Sequence, residues 1–313
     1  MNKHTPNSAH STESLPLKPV KEDWMNVSFI GLGIMGSRMA NNLLKENGIS
    51  LTVFNRSPEA MTALGKAGAK TAESARAAVA DADVVFTMLS APEVVEKVAF
   101  GSDGFIDAMG EGALWVNCST VNPSYTRECD ERVRGRGLRF LDAPVAGTKM
   151  PAETGELTFL LGGESADVEQ VRSLLEYMGQ KILHVGPAGQ GSAFKMLVNA
   201  LLAQSMLVYS ETALLGEKLG FSRDFLMDTL PNLPVTAPFL KGKAGLIKDG
   251  DYEAQFPLEL MLKDLHLLDM TAYEEKQPLF LAGLAKSIYG QANSAGHGRD
   301  DFAAVFKHLE KPG

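Results

Sequence analysis

The chain has 313 residues, 45% hydrophobic and 22% charged. That is the mix of a soluble globular protein of about two domains, and it excludes disordered, collagen-like and coiled-coil readings. The net charge of −8 gives no general attraction to a phosphate backbone, so nucleic acid is not expected as a partner.

Residues 1–24 are polar and lack the apolar segment of ~7–15 residues that a signal peptide needs. They are expected to form a disordered tail. Residues 27–30 read as a strand that runs into Gly31-Leu32-Gly33-Ile34-Met35-Gly36, and residues 37–46 as a helix. A second strand is expected at 51–54. Ser57 then caps a helix whose first position is Pro58. Further strands are expected at 83–89, 113–117, 140–143 and 157–161. Apolar strands alternating with helices predict a parallel sheet covered on both faces, here of Rossmann type, over residues 25–189. Strand signals stop after Gly189. Residues 192–220 form one long helical pattern without proline, and further helices follow through Leu309. The expectation is an all-helical domain over 190–313, joined to the sheet by the long helix.

No stretch approaches the ~18 uninterrupted apolar residues of a spanning helix, so no membrane role is expected. Cys118 and Cys129 are too few for a disulfide framework and are not spaced as metal ligands. The expectation is a reducing, cytoplasmic compartment and no metal.

The glycine run carries the first chemistry. It sits directly after a strand and opens a helix, where dinucleotide-binding folds need it. Gly31 would permit the tight turn, Gly33 the approach of a pyrophosphate, and Gly36 the packing of helix on strand. About twenty residues on, where an NAD-binding fold usually presents Asp or Glu to the ribose, stand Asn55, Arg56 and Ser57. Arg56 can pair with a 2′-phosphate, which predicts NADP(H) over NAD(H).

Four motifs in order, spanning roughly residues 25–310, resemble the β-hydroxyacid dehydrogenases. They are Gly31 to Gly36; Asp142-Ala143-Pro144-Val145-Ala146-Gly147; Gly186 to Asn199; and Lys263 to Asp269. The segment 148–153 and the turn at 55–57 look most like the glyoxylate/succinic semialdehyde reductase branch, whose members use NADPH. The resemblance implies a reductase of a small carboxylated aldehyde or keto acid, with 3-hydroxyisobutyrate or tartronate semialdehyde chemistry as the alternative. It also implies a homodimer or homotetramer joined through the helical half. Imine reductases and catalytically silent NADP-binding scaffolds resemble the family too, but generally lack the lysine found here as Lys195.

By that resemblance Lys195 and Asn199 are catalytic. They stand four apart, on one face of the predicted helix. A lysine ammonium can polarise a carbonyl and protonate the alkoxide that hydride addition leaves. The resemblance places Met88, Leu89, Thr120 and Lys263 at the cofactor, and Ser119, Ala146, Gly147, Thr148, Phe256 and Asp264 at the substrate. Ala146 departs from the family, whose substrate loop usually carries serine there; Thr148 or backbone N–H groups would have to replace its hydroxyl.

Overall fold

The structure, a computed structural model, describes residues 25–310. The expected tail at 1–24 lies outside them. The first half runs β1 Met25–Ile30, α1 Gly36–Leu44, β2 Ile49–Phe54, α2 Pro58–Lys66, β3 Lys70–Thr71, α3 Ala75–Val79, β4 Val84–Thr87, α4 Pro92–Phe100 and β5 Leu114–Asn117. It continues with α5 Pro123–Arg134, β6 Arg139–Asp142, β7 Val145–Ala146, α6 Lys149–Thr154, β8 Leu157–Gly163, α7 Ser165–Met178 and β9 Gly179–Gly186. The second half is helical: α8 Gln190–Lys218, α9 Arg223–Thr229, α10 Leu240–Asp249, α11 Leu258–Glu274, α12 Phe280–Ala292 and α13 Val305–Glu310.

The sheet order is β3-β2-β1-β4-β5-β6-β8-β7, with β9 on the other side of β8. The strands from β3 to β6 are parallel. Strands β4 and β5 are buried at every residue, as a sheet covered on both faces requires. One apolar cluster fills each face, around Phe29 and Phe86 on one side and around Trp115 and Phe140 on the other.

The expectation of a wholly parallel sheet is corrected at its far end, where β8 runs antiparallel to β6 and β7. Between β6 and β8 the chain forms β7, which itself pairs antiparallel with β8, and the six-residue α6, so it lacks the long crossover helix that usually returns a strand parallel. Ser57 precedes α2 in extended conformation, but its hydroxyl caps nothing; Pro58 alone marks the start. Both cysteines are buried and free.

Helix α8 packs against β8 and β9 at its start and against α11, α12 and α13 along its length. By length and composition it is long and apolar enough to cross a membrane. Here its inner face, which includes Met196, Ala203, Met206 and Tyr209, is the core of the helical half.

Candidate active site

The loop after β1 shows why three glycines stand where they do. Gly31 has φ +96°, a conformation that side chains rarely adopt. A Cβ on Gly36 would sit 1.9 Å from the Gly31 carbonyl oxygen, so α1 approaches the strand only without one. Gly33 is different: a Cβ there would meet nothing within 4 Å, so its backbone faces open space. Asn55, at the end of β2, fastens this loop. Its Oδ1 accepts from Leu32 N at 3.0 Å and its Nδ2 donates to Ser57 O at 2.9 Å. Its amide is therefore committed to shaping the turn. Arg56 beside it is exposed.

A cavity of about 530 Å³ opens between this loop and the helical half. It brings together Gly33, Ile34, Met35, Gly36, Met88, Leu89, Thr120, Ala146, Gly147, Thr148, Lys195, Phe256, Lys263 and Asp264 from the sequence-predicted set. Gly31, Leu32, Asn55, Arg56, Ser57, Ser119 and Asn199 do not line it. Ser119 is buried; its hydroxyl accepts from Leu89 N at 2.9 Å, which ties the loops after β4 and β5 together. Asn199 is buried one turn beyond Lys195 and donates from Nδ2 to Asp264 Oδ2 at 2.5 Å.

Lys195 is 7% exposed. Burial pushes its ammonium down to about 8, Asp264 resists that shift, and Lys263 adds to it. Lys263 lies 2.6 Å from Asp264 Oδ1 and donates to the Thr120 carbonyl at 2.8 Å. It thus links α11 to the loop after β5. The Lys263–Asp264 contact is an ion pair without hydrogen-bond alignment. Asp264 Oδ1 and Asn199 Oδ1 therefore remain buried acceptors without a hydrogen-bond partner among the described residues. Native interiors leave few such atoms outside functional sites.

The start of α8 is held by Asp142, at the end of β6. Its Oδ1 accepts from Gly189 N at 2.9 Å and its Oδ2 from Ser192 N at 2.7 Å. A carboxylate is stabilised at a helix N-terminus, where free N–H groups and the helix dipole both favour negative charge. Burial nonetheless raises its pKa, against the pull of those two N–H groups. Ser192 adds a hydroxyl contact to Thr126 at 2.9 Å. The register of Lys195, one turn along, is thereby set from the sheet.

Known proteins carry the same plan. Residues 26–186 match the family described as the NAD binding domain of 6-phosphogluconate dehydrogenase. Residues 189–309 match the NAD-binding family of NADP-dependent 3-hydroxyisobutyrate dehydrogenase. The chain is 34% identical to glyoxylate/succinic semialdehyde reductase 1 of Arabidopsis thaliana, over 91% of this chain and 99% of that one. It is 38% identical to the NAD-dependent L-serine dehydrogenase of Pseudomonas aeruginosa, over 90% and 96%. The chain belongs to the β-hydroxyacid dehydrogenase family. A solved Mycobacterium tuberculosis 3-hydroxyisobutyrate dehydrogenase superposes on this β-hydroxyacid dehydrogenase with TM-score 0.82 at 31% identity, covering 92% of this chain and all of that one. The protein is an NAD(P)-dependent enzyme acting on small hydroxyacids or their carbonyl forms.

The nicotinamide nucleotide that this family uses fits the site. Gly33 leaves room at the mouth of α1, whose free N–H groups suit a pyrophosphate. Several cavity residues escaped sequence reasoning: Phe239, Gly242, Lys243, Gln255 and Phe302. They come from α10, the segment before α11, and the turn before α13. Val198 and Leu202 also line the cavity, and helical spacing from Lys195 was a signal that could have found them.

Proposed function

We propose that this enzyme is an NADPH-dependent reductase of small carboxylated aldehydes or keto acids of the glyoxylate and succinic semialdehyde type. The observation that carries the cofactor choice is the end of β2, where exposed Arg56 stands and no carboxylate is available for a ribose 2′-hydroxyl. The likeness to the Arabidopsis reductase supports the substrate class. When bound, the nicotinamide supplies the hydride. Lys195 polarises the carbonyl oxygen and gives it the proton that completes the alcohol. With its Nδ2 donating to Asp264, Asn199 keeps a free acceptor, Oδ1, for the lysine ammonium one turn away. Thr148 begins α6 without spending its hydroxyl on a cap, so that hydroxyl and nearby N–H groups hold the carboxylate in place of the absent serine.

Arg56→Ala tests the cofactor assignment. Loss of a charge-assisted pair worth ~1.5–3 kcal/mol should raise KM for NADPH by about 10- to 100-fold and leave KM for NADH nearly unchanged. Equal effects on both cofactors would remove the 2′-phosphate role.

The enzyme is further proposed to be a homodimer or homotetramer. Phe194, Leu201, Val208 and Leu215 recur every seven residues on α8 and are exposed, as are Phe280, Leu281 and Leu284 on α12. A heptad stripe is self-complementary and suits a second copy about a two-fold axis. Leu201→Glu should therefore lower the mass measured by light scattering. An unchanged mass at micromolar concentration would count against this face.

A further inference from the structure

The cavity has two unlike ends. One is formed by the glycine loop and the loops after β4 and β5, the other by α10, the segment before α11 and Phe302. The second end is aromatic. The Phe302 ring lies 6.2 Å from that of Phe239 and 5.6 Å from that of Phe256. Lys243 also borders it, but its charge is already matched within the wall. The side chain is 5% exposed, and Nζ lies 2.9 Å from either oxygen of fully buried Asp301. The same ammonium sits 4.6 Å from the centre of the Phe302 ring. Between Phe239 and Lys243 the wall is open. Gly242 lines the cavity inside helix α10, and a Cβ there would meet nothing within 4 Å.

We propose that this end is a side-group pocket, and that the preferred substrate is a monocarboxylated aldehyde bearing an apolar group larger than methyl, such as propyl or a small ring. This rests on the reductase reading above and names its substrate more closely. Aromatic walls hold apolar atoms and give little to a polar one. A second carboxylate at this end would find no uncompensated cation, because Asp301 holds Lys243, and it would lose its hydration without return. The unmatched positive charge of the cavity is at Lys195, which takes the carbonyl, and Thr148 lines the same cavity to hold the single carboxylate, so neither polar group calls for the aromatic end. The missing side chain at Gly242 is the space that the group fills.

The test is NADPH oxidation, measured as kcat/KM, over 3-oxopropanoates carrying hydrogen, methyl, ethyl or propyl at C2. Glyoxylate and the 2-carboxymethyl compound complete the panel, run with the natural enzyme and with Gly242→Leu. In the natural enzyme each added methylene should raise kcat/KM by about tenfold until the pocket is filled. Leucine suits a helix better than glycine does, so the variant should fold. It should return the propyl compound to the level of the unsubstituted one, a far larger loss than for the compounds without an alkyl group. Turnover of glyoxylate with a flat or falling alkyl series overturns the side-group pocket alone. So does preference for the dicarboxylate, or a Gly242→Leu loss that is equal for every substrate. Failure to reduce any carboxylated aldehyde overturns the reductase reading and this inference with it.

Discussion

Lys195→Ala is expected to lower kcat by about 10²- to 10⁴-fold, the usual worth of a positioned general acid, while the cofactor still binds. The side chain is nearly buried, and its neighbours have other partners: Lys263 is held by Asp264 and the Thr120 carbonyl. Among the described residues no second ammonium is placed to take over. Stopped-flow turnover and a cofactor fluorescence titration separate the two effects. A variant that retains turnover within tenfold would remove Lys195 as proton donor.

The pH dependence follows from the ammonium being lowered to about 8. Aldehyde reduction needs the protonated lysine, so kcat/KM should fall as pH rises through about 8. Alcohol oxidation needs the neutral amine, so its kcat/KM should rise through the same region. The alanine variant should lose both limbs. A reduction profile that stays flat to pH 9.5 in the natural enzyme would contradict the assignment.

The second large effect is on stability. Asp301 is fully buried, and its two oxygens accept from Lys243 Nζ at 2.9 Å and from the backbone N–H groups of Gln255, Phe256 and Ala303 at 3.1 Å each. Phe302 N donates to the Phe256 carbonyl at 2.9 Å, so one carboxylate fixes the segment that carries Phe256. Asp301→Ala strands a buried ammonium and unpairs backbone donors. The expected loss is about 3–5 kcal/mol, read from the urea midpoint. Burial already lowers the Lys243 pKa against the opposing pull of Asp301, so without that carboxylate the lysine sheds its proton more readily still. Lys243→Met combined with Asp301→Leu should recover part of the loss by removing the stranded charge, but not the part due to the backbone donors. A single-variant loss under 1 kcal/mol would show that the pair does not hold this wall.

The features legible in the sequence were those in which local geometry dictates the residue. Gly31 and Gly36 are read from the chain because only glycine fits a positive φ and a 1.9 Å approach. Lys195 and Asn199 are read together because helical spacing puts them on one side of α8. Strands β3 and β9 were missed because β3 is two exposed residues long and β9 buries only Gly179, with Ile182, Leu183 and Val185 half-buried among polar neighbours. The distal wall was legible only at Phe256. Phe239 and Lys243 lie about sixty residues from Phe302 in the sequence, and only packing of α10 against the turn at Asp301 brings them together. Ser119 and Asn55 sit where ligand residues are expected, yet their side-chain bonds go to Leu89 N, Leu32 N and Ser57 O. A pattern of residue types does not reveal which partner a hydroxyl or amide takes.

The Asp142 clasp fixes where α8 changes allegiance. Its first turn is anchored to the sheet at Gly189 and Ser192, and the helical core begins at Met196. Lys195 stands between the two, so the proton donor sits at the junction of the nucleotide half and the half that carries the aromatic wall.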